Sequence, residues 1–115
     1  SEEYANMPEK KVKTNEPSAE LIKEFKERNP RGVFKSVIGG QTYIWRTLER
    51  EEYSTLVDNQ DLDMLNKEDA ITMLCLLWPE VTLDEMKKMT AGVPTTLAEN
   101  IMSNSGFEAT TVERL

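Results

Sequence analysis

Two adjacent glycines, Gly39 and Gly40, separate two short apolar-polar runs, V-F-K-S-V-I before them and Q-T-Y-I-W-R after them. A two-residue hairpin turn needs positive φ at its central positions, which glycine adopts without a steric penalty. The pattern therefore predicts strands over Val33–Ile38 and Gln41–Arg46, joined by a tight turn. A helical pattern follows Arg46 at once, so the hairpin feeds directly into helices. In the second strand Tyr43 and Trp45 share one face, while Thr42, Ile44 and Arg46 share the other. A lone hairpin is marginal in water and needs a helix over one face. With only two strands, the other face or an edge is expected to remain open to another chain.

The rest of the chain reads as helices. Ser18 is an expected N-cap for a first helix to about Arg28, with Leu21, Ile22 and Phe25 as its apolar stripe. Asn29-Pro30-Arg31-Gly32 stops it. Thr47 is the expected N-cap of a second helix that buries Tyr53, Leu56 and Val57. Asn66, with Asp69 three residues on, is expected to cap a third. There Ile71, Leu74, Cys75 and Trp78 repeat at helical spacing, and Met73, Leu76 and Leu77 make the segment apolar nearly all round. It is expected to be the central core helix, ended by Pro79. Thr82-Leu83-Asp84-Glu85 is a capping box for a short helix carrying Leu83, Met86 and Met89, with Gly92 as its stop. Pro94 suits the first position of a last helix whose inner face is Leu97, Ala98, Ile101 and Met102. Asn104-Ser105-Gly106-Phe107 predicts a Schellman-type end with Phe107 folding back. The expected fold is α+β: a small, mainly helical domain over residues 18–107 with one β-hairpin at Val33 to Arg46. An extended polar arm (1–17) precedes it and a polar tail (108–115) follows.

Composition narrows the function. The chain has 115 residues, enough for one domain with a modest core. It carries 21 acidic and 14 basic residues, a net charge of -7. Duplex binding needs Lys and Arg against phosphates, so nucleic acid is not an expected partner. An anionic membrane surface is equally unexpected. No stretch reaches the roughly 18 apolar residues of a membrane span, and the first residues carry no apolar leader run.

The chain has one cysteine and no histidine. Histidine-dependent triads and dyads are therefore excluded. Cys75, on the most apolar segment, reads as an inert core residue. The run Asp58 to Asp63 places oxygen ligands at alternate positions from Asn59. Met64 and Ala70 stand where a calcium loop needs Gly and Glu, so a solvated connection is the better account. Gly39-Gly40 lacks the Gly-Lys-Ser/Thr sequence of a phosphate loop. Glu51 and Glu52 are adjacent on a helix and point apart. Met64, Met73, Met86, Met89 and Met102 read as adaptable core, with a docking groove as the other possibility. Arg46 and Arg50 bracket the strand-to-helix junction and invite pairing with nearby Glu, or an anchoring role at an interface. No metal, cofactor or enzymatic activity is expected.

Three stretches carry a family likeness: I-W-R-T-L-E-R-E-E-Y (residues 44–53), L-L-W-P-E (76–80) and A-G-V-P-T-T-L-A-E-N-I-M-S-N-S-G-F (91–107). Their order after a short hairpin resembles small tail-region proteins of tailed bacteriophages, either tail assembly chaperones or baseplate and virion components. The resemblance implies a non-catalytic structural or assembly protein that docks on neighbouring tail or virion subunits. It implies a place in the virion, with assembly in the host cytoplasm. A transient tail assembly chaperone or a cellular adaptor is the alternative. Tyr4, Met7, Tyr43, Trp45, Arg46, Val112 and Leu115 are the expected partner-binding residues.

Overall fold

The computed structural model describes residues 16–60, 63–107 and 110–115. Among them are five helices and a three-stranded antiparallel sheet, an α+β domain. Helix α1 is Ala19–Arg28, strand β1 Val33–Ile38 and strand β2 Gln41–Arg46. Helix α2 is Arg50–Asp58 and α3 Met64–Cys75; strand β3 is Leu76–Trp78. Helices α4 (Leu83–Lys87) and α5 (Gly92–Ser103) complete the domain. No described helix is long and apolar enough to cross a membrane.

The hairpin forms as its sequence predicts. Gly39 and Gly40 take φ of 59° and 79°, and the register runs from Val33 opposite Arg46 to Ile38 opposite Gln41. Ser18 caps α1, its Oγ accepting the Leu21 N–H at 3.1 Å. The Thr82 capping box also forms: Thr82 Oγ1 accepts the Glu85 N–H, and Glu85 Oε1 accepts the Thr82 N–H.

Four boundaries differ from expectation. Helix α2 starts after Glu49 rather than Thr47, because the Glu52 carboxylate reaches back to the Glu49 N–H at 3.0 Å. Helix α3 starts after Asp63, whose Oδ1 accepts the Asn66 N–H at 2.8 Å, so Asn66 is inside the helix. Gly92 opens α5 rather than ending α4, and Pro94 is its third residue. The largest difference is at the end of α3. The helix stops at Cys75, and Leu76–Trp78 is a strand paired with β2. Trp78 precedes Pro79, and a residue before proline is pushed out of the α region.

That third strand makes β2 the centre of the sheet, in the order β1-β2-β3. On one face Tyr43 and Trp45 pack into a core with Leu48, Leu56, Ile71, Cys75, Leu97, Ala98 and Ile101. Trp45 is 2% exposed and stacks on Phe34 with ring centroids 4.8 Å apart. The Ser36 hydroxyl accepts both the Trp45 Nε1–H and an Asn100 Nδ2–H at 2.8 Å, which ties the sheet to α5. On the other face Thr42 and Ile44 are also buried, with Trp78 beside Ile44. Both faces of β2 are thus covered, which a two-stranded hairpin was not expected to achieve. Helices α3 and α5 are joined by the buried Thr72 hydroxyl, which lies 2.9 Å from Glu68 O and 3.2 Å from Pro94 O. Gly106 takes φ of 94°, and Phe107 turns back onto Tyr53 of α2.

Truncating Trp45 to Ala should cost about 3–5 kcal/mol, the range for a large buried aromatic. Val37→Ala, on the exposed side of β1, should stay within about 0.5 kcal/mol of wild type. Urea denaturation of both variants checks this; equal midpoints would contradict the placement of β2 at the centre.

Candidate docking surfaces

The residues expected to meet partners divide into three pairs and Arg46. Tyr4 and Met7 lie outside the described residues. Tyr43 and Trp45 are 7% and 2% exposed and belong to the core, so their assignment as contact residues is corrected. Their face is covered by Ile71 and Cys75 of α3 and by Leu97, Ala98 and Ile101 of α5, which pack on it. Val112 and Leu115 are exposed, at 87% and 111%.

Arg46 is the remaining member, and it points inward. Its Nη1 and Nη2 donate to Glu52 Oε1 and Oε2 at 2.9 and 2.8 Å, a bidentate pair. Nη2 also donates to Leu74 O at 2.8 Å, and Nη1 to Thr47 O at 3.0 Å. One guanidinium therefore joins the end of β2, the first turn of α2 and the last turn of α3. A planar fork of donors suits this geometry, and lysine could not reproduce it. The anchoring role expected of Arg46 is satisfied within its own chain. Arg50 lies over the Tyr53 ring, 5.7 Å from its centroid.

The hydrogen bonds from Arg46 hold the Glu52 carboxyl below its ordinary range, with the Glu49 N–H adding to the effect. A folded pKa below the unfolded one means stabilisation that is complete above the unfolded value and lost as pH falls through the folded one. Cys75 is fully buried at the α3–β3 junction, and burial pushes its thiol up to about 12. It is a protonated core residue at neutral pH, as expected from its apolar segment.

Sequence reasoning missed the apolar surface that β3 creates. A groove of about 490 Å³ lies between α1 and β3, lined by Leu21, Phe25, Met73, Leu76, Leu77 and Trp78 together with Arg28, Glu80 and Val81. Met73 also lines a neighbouring cavity of about 340 Å³ with Ala70 and Leu83. Met73 and Leu83 are exposed, at 36% and 46%. Of the methionines read as adaptable core, Met86 is buried, and Met89 and Met102 pack against the core. Met73 faces out, and the Met64 side chain lies outside the described part. The one local signal is Trp78-Pro79: the residue before proline disfavours the α region, so the helix could not have run through Trp78.

The second open surface is the outer edge of β1. Among the described residues nothing pairs with it on the side away from β2. Lys35 on this strand meets Glu16 at 3.9 Å, with both side chains more than half exposed. The described Asp, Glu and Cys residues form no group of three able to hold a metal ion. No family model, curated protein or solved structure matches the chain.

Two measurements check the local chemistry. Glu52→Gln should lower stability at pH 7 by about 1.5–3 kcal/mol, the range for hydrogen bonds to charged groups. It should also flatten the loss of stability that wild type shows below about pH 4.3, where an unperturbed Glu takes up its proton. Parallel acid profiles for the two proteins would contradict the ion pair. A thiol-reactive dye should label Cys75 only after denaturant unfolds the chain; prompt labelling of the native protein would contradict its burial.

Proposed function

We propose that this chain is a non-catalytic docking protein of a multi-chain assembly, and that the assembly is the tail or virion of a tailed bacteriophage. The apolar surface around Met73 carries the docking part of the proposal. Exposed contiguous apolar surface is costly in water and marks sites where another chain sits. Here the exposed Met73 and Leu83 and the half-buried Leu21 and Trp78 line two grooves that share Met73, bordered by Arg28 and Glu80 on one side and Asp69 and Lys87 on the other. Aromatic and methionine side chains in such grooves commonly supply the contact energy of an interface.

The phage assignment is supported by the resemblance of residues 44–53, 76–80 and 91–107 to small tail-region proteins. Those stretches include the β2–α2 junction with Arg46 and Glu52, strand β3, and the whole of α5. The partners would be neighbouring tail or virion subunits, with assembly taking place in the host cytoplasm.

Met73→Glu with Leu83→Glu tests the docking surface without touching the core. The double variant should keep the wild-type circular dichroism and shift stability by less than about 1 kcal/mol. In a phage lacking its own copy, it should fail to support assembly of infectious particles, while wild type does. Normal particle yield with the double variant would contradict docking through this surface.

A further inference from the structure

We propose that residues 110–115 of one copy add as a fourth strand to the open edge of β1 in a second copy. This rests on the docking reading above and names the partner for a separate surface. Two observations carry it. Strand β1 is a six-residue edge strand, and among the described residues its outer side is unpaired. An edge strand leaves alternate N–H and C=O groups unbonded by its sheet and is a template for another chain. The second observation is a segment suited to fill it. Residues 110–115, T-T-V-E-R-L, carry no helix or turn and are exposed throughout. Thr110, Thr111 and Val112 are β-branched strand formers, and the segment contains neither Gly nor Pro. Val112 and Leu115 are fully or nearly fully exposed in their own chain.

Charge and length select the register. Setting Glu113 antiparallel and opposite Lys35 pairs every residue of the segment with one of β1, from Thr110 against Ile38 to Leu115 against Val33. Val112 then falls on the face of Ser36, between Phe34 and Ile38, which border the core. Leu115 falls beside Val33, and Arg114 beside the Phe34 ring. A one-residue slip sets Arg114 against Lys35 and turns the side chains to the opposite face. Lys35 already attracts a carboxylate, Glu16 at 3.9 Å, with both side chains more than half exposed, and Glu113 brings the same charge. Each copy donates one segment and receives one, a head-to-tail contact that can propagate through a ring or a filament.

Sedimentation velocity on the full chain across a concentration series tests this. Wild type should associate reversibly, and deletion of residues 110–115 should abolish association with circular dichroism unchanged. Glu113→Lys and Lys35→Glu should each weaken association about tenfold, since each replaces an attraction by a like-charge contact. The double swap should restore most of the loss. A wild type that stays monomeric throughout overturns the proposal, and so does association that survives the deletion. Two weakened single variants without rescue in the double swap overturn it as well. If the Met73→Glu, Leu83→Glu variant still blocks particle assembly in any of those cases, docking stands and only the strand exchange falls.

Discussion

The Arg46 guanidinium is the point on which the rest of the structure depends. It lies about one-fifth exposed at the end of the central strand and satisfies four acceptors on three neighbouring segments. Placing a charge there carries a desolvation cost, which the bidentate contact with Glu52 and the two carbonyl bonds offset. Glu52 in turn accepts the Glu49 N–H, so the same carboxylate sets where α2 begins. The bond to Leu74 O fixes the last turn of α3, next to the point where the chain leaves the helix and pairs with β2. Cys75, directly after Leu74, is fully buried at that junction.

The placement of β3 follows from this junction and decides which surfaces stay open. With β3 along the edge of β2 and the side chains of α3 and α5 over one of its faces, the aromatic residues of the hairpin lose access to solvent. The apolar surface moves to the flank of β3, where Trp78, Met73 and α1 form the groove. Among the described residues the opposite edge of the sheet, β1, is unpaired. The described residues thus carry two surfaces on which the proposed docking rests, one of side chains and one of backbone, on opposite sides of a buried strand.

Much of this was legible in the sequence because the signals were local. Gly39-Gly40, the Ser18 cap and the Thr82–Glu85 box each specify their structure within four residues, and each formed as expected. The inner face of α5 was legible from its periodicity, and the burial of Cys75 from its apolar setting. What failed was the assignment of Leu76–Trp78. Its residues fit the helical repeat of Ile71 and Leu74, and periodicity alone does not separate a short buried strand from the end of an apolar helix. The exposure expected of Tyr43 and Trp45 was a separate miss: a two-stranded sheet with helices over its Ile44 face would leave them open, whereas α3 and α5 pack on their own face. Arg46 was legible as a pairing residue, but one of its two carbonyl partners, Leu74 O, lies 28 positions away and has no local signature.

Amide hydrogen exchange, followed residue by residue in the dilute chain and in the assembled state, tests the central claim most directly. The claim is that β2 is a fully covered central strand and β1 an edge that another chain completes. Exchange tracks local opening, so strands that differ in cover should differ in protection. The amides of β2 should be strongly protected in both states. The outward-facing amides of β1 should exchange quickly in the dilute chain and become protected on assembly. Equal protection of β1 and β2 in the dilute chain, unchanged on assembly, would contradict the account.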